Sequence, residues 1–264
     1  MYWNSHGFVI NRQETRNADK LLTLYTLELG KIRVIAQGAR KSSARLAMAT
    51  EPLVETEFSF FGNPLASARL RVIGGKIINL FPVIREDFRR YTTACQVAEV
   101  IDLLTYEQIK NEQKYRLIGR TFDLISTARH PERTYLAFLL RFLRYCGYGL
   151  HLNTCVMCSS RDFQRLKFSA RKSGILCRAC AGLDPLAFDI SDDLLAYFKT
   201  IAKISGEEID KINVPRHMDD FIEKCCHAYL MEYTHRPLKT KEFKKEIRYD
   251  DFSTDYNGVK QVLV

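Results

Sequence analysis

The chain has 264 residues, 46% of them hydrophobic and 27% charged, a balance that suits a soluble protein with a real core and leaves room for two domains. It lacks any apolar run of the roughly 18 residues a spanning helix needs, and residues 1–20 hold Asn4, Ser5, His6, Asn11, Arg12 and Glu14, so neither a membrane helix nor a secretory leader is expected. The formal charge is +9 with a pI near 9.1, and residues 1–80 carry more than half of it, with 11 Lys+Arg against 6 Asp+Glu.

The first eighty residues read as short strands at 7–10, 20–27, 32–36, 53–61, 68–73 and 76–81, rich in β-branched and aromatic types. Gly74-Gly75 reads as a hairpin connection between the last two. A basic, serine-containing loop fills 38–48. Five or six short strands in so little chain suit a small closed barrel, which removes exposed edges. An OB-fold is expected, although an SH3-like barrel would give nearly the same periodicity.

At Pro82 the apolar period changes from two to about 3.6. Ala94, Val97, Ala98, Ile101 and Leu104 make one helical stripe, and Leu117, Ile118, Phe122 and Ile125 another. Pro131 suits the first turn of a helix burying Tyr135, Phe138, Leu139, Phe142 and Leu143. Ser191, followed by Asp192 and Asp193, suits another helix start. Pro215 opens a last long helix, and the charged tail from Lys239 is expected to fray. The chain therefore divides into a β-barrel domain over 1–81 and an all-α domain over 82–264, an α+β multidomain class.

Inside the second part, Cys155-x2-Cys158 is followed after eighteen residues by Cys177-x2-Cys180. Each pair places two sulfurs on one side of a tight turn, and two such turns can close a tetrahedral S4 site suited to Zn²⁺. Four protein thiolates leave no position for water, so one structural zinc ion per chain is expected in an insertion at about 150–184. Eight cysteines without a leader point to a reducing compartment rather than to disulfides. Cys95, Cys146, Cys225 and Cys226 lie in apolar helical patterns and read as small core residues.

This order of features is similar to that of the RecO family of recombination mediators. The likeness is carried by Gly30-Lys31-Ile32, Gly38-Ala39-Arg40-Lys41 and Ser43-Ala44-Arg45-Leu46. Further on it is carried by the stretch from Leu136 through Phe138 to Leu143, by Gly147-Tyr148, by the two cysteine pairs and by Pro237-Leu238-Lys239-Thr240. Serine is usual in the family where Thr240 stands, and some members lack the cysteines, which supports a structural role for the metal. The resemblance implies an N-terminal OB domain, a helical domain and an inserted zinc module. It implies binding of single-stranded DNA, annealing of complementary strands, and help in loading RecA onto strands coated by single-strand-binding protein (SSB). The implied partners are RecR and the acidic C-terminal tail of SSB, in the cytoplasm at the nucleoid.

Single-strand binding needs a cationic track for phosphates and aromatic faces for bases. Lys31, Arg33, Arg40, Lys41 and Arg45, on one strand and the loop beyond it, are the candidates for the track, and Arg69 and Arg71 could extend it. Trp3, Phe8, Tyr25, Phe58, Phe60 and Phe61 are the aromatic candidates, with Phe58 and Phe60 alternating around Ser59 and so expected in the core. Arg85, Arg89, Arg90, Arg141 and Arg144 could widen the surface. The phosphate-binding pattern GxxxxGK[ST] is missing, which fits an ATP-independent binder with no nucleotide cofactor and no bond-making residue.

Two rival readings remain. In one the barrel is an adaptor that grips acidic peptides without touching DNA. In the other, His130-Pro131-Glu132 with Cys155-x2-Cys158 mimics the zinc nucleobase deaminases. Against the deaminase, Thr154 stands where that signature has proline, and the second cysteine pair completes a better S4 site.

Overall fold

The computed structural model describes residues 1–15, 19–39, 46–63, 70–162, 164–204 and 206–246, the side chains of Glu207 and Lys245 excepted. Strands β1 (Tyr2–Glu14), β2 (Lys20–Thr26), β3 (Gly30–Ala36), β4 (Glu55–Phe61) and β5 (Arg71–Asn79) close into a barrel in the order β1-β2-β3-β5-β4. The β3–β5 pair is parallel, through Ile35 opposite Arg71 and Ala36 opposite Val72, and the other four pairs are antiparallel. This is the OB-type order, which answers the choice that periodicity left open.

Strand β1 is much longer than the expected segment at 7–10 because it serves two neighbours. Residues from Tyr2 to Phe8 pair with β4 and those from Gly7 to Glu14 with β2, with an irregularity between Val9 and Asn11. The barrel interior is Val9, Leu22, Leu24, Ile32, Val34, Phe58, Phe60 and Val72, all buried, with Trp3 packed at its edge.

Gly74-Gly75 is not a hairpin, and there is no sixth barrel strand among the described residues. Both glycines lie inside continuous β5, opposite Ser59 and Phe58, where the β4–β5 register shifts between Ser59 and Phe60. A Cβ on Gly75 would meet Thr56 Cγ2 at 3.0 Å and Ala49 Cβ and Leu46 Cδ2 at 3.3 Å. The glycine pair therefore lets the strand pass beneath the 46–49 segment rather than reverse.

Four helices follow: α1 (Pro82–Glu86), α2 (Phe88–Leu104), α3 (Glu112–Thr127) and α4 (Pro131–Tyr145). Asp87 caps α2 by accepting from Arg90 N at 2.9 Å, and Asn111 caps α3 by accepting from Lys114 N at 2.9 Å. Helix α4 is buried along nearly its whole length, so its one interior cation needs a partner. Arg133 finds it in Asp219, with Nε–Oδ1 at 3.1 Å and Nη2–Oδ2 at 2.7 Å, while Nη1 donates to Ile212 O at 2.7 Å.

A small sheet, β7-β6-β8, comes next, from β6 (Leu166–Ser169), β7 (Gly174–Leu176) and β8 (Phe188–Ile190). Helices α5 (Asp192–Lys203), α6 (Arg216–Thr234) and α7 (Lys239–Glu246) complete the described chain. Ser191 caps α5 as its sequence suggests, accepting from Leu194 N. Of the segment expected to fray from Lys239, Lys239–Glu246 instead forms α7, docked on α2, and 247–264 lie outside the described residues. The Glu99 carboxylate accepts from Lys239 N at 2.7 Å, Thr240 N at 3.0 Å and Thr240 Oγ1 at 2.6 Å. Serine at 240 would make the same hydroxyl bond. Among the described residues no helix is long and apolar enough to cross a membrane.

The barrel and the helices share a core. Phe8 on β1 packs against Tyr115 and Phe122 of α3, with ring centroids 5.0 and 5.7 Å apart, and Phe81 stands 5.4 Å from Phe122. Tyr115 donates its hydroxyl to Glu55 Oε1 on β4 at 2.7 Å. Gly30 has φ +70°, and a Cβ there would lie 2.1 Å from Ile109 O, so the β2–β3 turn fits directly under the α2–α3 linker.

Candidate nucleic-acid interface and metal centre

Strand β3 carries its two cations two residues apart, on the same outer face of the barrel wall, because Ile32, Val34 and Ala36 take the inner one. Arg33 points outward, and its side chain keeps 58% of its exposure beside Glu107, with Nε–Oε1 at 3.1 Å. Lys31 does not join it. Its side chain is 8% exposed, and its ammonium donates to Asp102 O at 2.6 Å and pairs with Asp102 Oδ1 at 3.2 Å, at the C-terminal end of α2. A helix C-terminus carries unsatisfied carbonyls and partial negative charge, so it draws in this lysine. Gln108 N donates to Lys31 O at 2.8 Å, which ties the same residue to the linker through its backbone. Lys31 is thus a clamp between barrel and helices and is corrected out of the phosphate track.

Arg71 opens β5 on the outer surface, exposed, with no ion pair among the described residues. Arg40, Lys41, Arg45 and Arg69 lie outside the described residues. Of the helical arginines, most serve the fold. Arg85 donates to Leu80 O and Pro52 O at 3.1 and 2.6 Å, Arg90 reaches Ile125 O, and Arg141 donates to Lys203 O at 2.9 Å. Arg89 forms a two-pronged pair with Glu132, both bonds 3.0 Å. That pair engages the acid of His130-Pro131-Glu132, and His130 serves as the N-cap residue of α4. Arg144 stays exposed.

The aromatic candidates separate cleanly. Phe8, Phe58 and Phe60 are 0% exposed and Tyr25 1%, so none meets solvent. Trp3 is half-buried and stacks on Phe60 at 4.3 Å, facing inward. Only Phe61 of the six is exposed, and it pairs with Tyr2, which sequence reasoning passed over. Extending the first strand back from Gly7 would have revealed it, because alternation around inward Trp3 turns Tyr2 outward.

The four cysteine sulfurs converge, all within 4.8 Å of one another, and Cys158 and Cys177 Sγ are 3.6 Å apart. A tetrahedral ion with metal–sulfur bonds of about 2.3 Å would space them by about 3.8 Å, so the group could hold a metal ion. All four are free thiols rather than disulfides. Each knuckle is shaped by its backbone: Ser159 N donates to Cys155 O at 2.8 Å and Cys180 N to Cys177 O at 3.0 Å. Val156 N donates to Ile175 O, which docks the first knuckle on β7.

Burial raises the Cys155 thiol, but the backbone N–H groups of Cys177, Cys158 and Met157 outweigh it and bring it down to about 6. Hydrogen bonding to Cys158, burial and hydrogen bonding to Cys177 push Cys180 up to about 12. Sulfurs this close cannot all hold negative charge by themselves, and a divalent cation is the chemistry that lets them.

Comparison with known proteins gives one answer along the chain. The family model described as Recombination protein O N terminal matches residues 1–73, and that described as Recombination protein O C terminal matches residues 85–242. A protein of Alkaliphilus metalliredigens named DNA repair protein RecO is 27% identical over 238 residues, 89% of this chain and 95% of the relative. Proteins of the same name from Listeria monocytogenes and Symbiobacterium thermophilum are 27% and 29% identical over 242 and 253 residues. Those alignments cover 91% and 93% of this chain, and 93% and 98% of the relatives.

Proposed function

The chain belongs to the RecO family of DNA repair and recombination proteins, and from that premise we propose that its barrel holds single-stranded DNA, anneals complementary strands and, with RecR, helps RecA load onto strands coated by SSB. The observation that carries the reading is a closed OB-type barrel whose outer surface presents Arg33 and Arg71 while its other cation on β3, Lys31, is spent on the fold. Arg40, Lys41, Arg45 and Arg69, outside the described residues, are proposed to extend the same track. The barrel over 1–81 takes the DNA, and the helical part over 82–264 carries the metal and offers surface to RecR and to the acidic tail of SSB, in the cytoplasm at the nucleoid.

Annealing on this scheme needs no bond-making residue. A surface that neutralises two strands while leaving their bases free raises local concentration and lets hybridisation supply the energy. The ion in the tetracysteine site is proposed to be Zn²⁺, because four thiolates in tetrahedral reach suit it. It would cross-link the two knuckles and perform no chemistry on DNA.

The test is titration of a labelled oligonucleotide with the purified chain across a range of salt. Affinity should fall steeply with salt, and Arg33→Ala with Arg71→Ala together should lower the log–log slope by about 1.4, from about 0.7 per lost phosphate contact. Affinity flat in salt, or no binding at low salt, would favour the peptide-gripping adaptor instead.

A further inference from the structure

The outer wall of the barrel carries one continuous cross-strand row. Tyr2 on β1 is in register with Phe61 on β4, Phe61 with Arg71 on β5, and Arg71 with Ile35 on β3. Register partners share a face of a sheet, so these side chains stand side by side, one strand spacing of about 4.8 Å apart. Tyr2 is 73% exposed and Phe61 42%, and their rings lie 5.0 Å apart at 52°. Two large aromatic faces in water on a small barrel are costly unless something covers them.

What covers them is indicated by three neighbouring features. The row holds no acid, and its one charge is the arginine, with no ion pair among the described residues. The next row is Asn4, Ser59 and Gly74, small and neutral, with the exposed apolar Ile73 at the bulge beside it. The row also frames the mouth from which the β4–β5 connection leaves, between Phe61 and Arg71, one of the two loops by which OB-folds take up oligonucleotides. Beneath it, the Trp3–Phe60 stack fills the alternate positions of the same two strands and fixes the backbone that presents the rings. Aromatic face, neutral neighbours and adjacent cation are the elements that take an unpaired base together with its phosphate.

We infer that Tyr2 and Phe61 form a stacking platform for unpaired bases, with Arg71 holding the adjoining phosphate. The inference deepens the single-strand reading and rests on it. It assigns the contact to bases, through their π faces, in addition to the phosphate track. Such contacts are indifferent to which base is bound and contribute little to salt dependence.

The experiment uses the full chain and two labelled probes of equal length and charge, an oligothymidylate and the same strand built of abasic sugars. The intact protein should bind oligothymidylate about tenfold more tightly than the abasic strand. Tyr2→Leu with Phe61→Leu, which keeps the apolar surface and removes the rings, should abolish that difference and leave the salt slope unchanged. Arg71→Ala should lower the slope by about 0.7 for both probes. Circular dichroism checks that each variant folds. Equal binding of both probes by the intact protein, or a preference that survives loss of both rings, overturns the platform while the single-strand reading stands. Binding of neither probe at low salt overturns both.

Discussion

The barrel and the tetracysteine module face one difficulty, a fold too small to bury much, and meet it differently. The barrel closes on itself, leaves no edge, and fills its interior with Phe58, Phe60, Leu22, Ile32 and their neighbours. The module has a three-stranded sheet of three- and four-residue strands and a local core of Cys155, Leu176, Cys177 and Ala187. Half of that core is cysteine. Side-chain packing and ring closure hold the barrel, whereas the module leans its sheet on the main core, Phe168 against Phe198, and leaves its knuckles to the sulfurs. On the function proposed above, the difference assigns stability to the cysteines and recognition to the barrel wall.

The largest effect should come from breaking the module's cross-link. Cys177→Ser, or chelation of the intact protein, should lower metal content from one equivalent towards none. It should also strip hydrogen-exchange protection from about 155 to 190, since ion binding in such sites is worth on the order of 10 kcal/mol. Amides of β1 to β5 should keep theirs. Equal loss in the barrel would end the contrast.

Phe122→Ala should come next. The ring touches both Phe8 and Phe81, so its removal should cost about 3–5 kcal/mol. The cost should appear in one cooperative denaturant transition, because the side chain belongs to barrel and helices at once. Two separate transitions would show that the shared core does not couple them.

Lys31→Ala and Arg33→Ala sharpen the comparison within a single strand. Losing the buried clamp should cost about 1–3 kcal/mol of stability and leave DNA affinity alone. Losing the outward arginine should cost less than about 1 kcal/mol, since its pair with Glu107 is largely exposed, and should reduce the salt slope by about 0.7. Denaturant melts beside binding titrations would separate the two, and a reversed pattern would mean that the covered and the open position on that face are misassigned.

Local signals were legible wherever chemistry and spacing sit close together in the chain. Alternation gave the barrel strands, Pro131 and Ser191 marked helix starts, and two tight cysteine pairs announced a metal-holding cluster. What stayed hidden depended on distant partners. Lys31 looked like its neighbour Arg33 because Asp102 is 71 residues away. Gly74-Gly75 looked like a turn because only the register shift against β4 shows the strand running straight through. Helix α7 looked like a loose charged tail because its anchorage lies far upstream, in Glu99 140 residues away and in Gln96 and Phe88 of the same helix α2. Tyr2 was missed for a nearer reason, a strand begun five residues too late.

The seating of the β2–β3 turn beneath the Ile109 carbonyl has a mechanical meaning. With Lys31 bolted to the end of α2 on the same side, the barrel has no swivel. If the aromatic row takes a strand as proposed, the angle at which that strand is offered to its complement is settled when the chain folds.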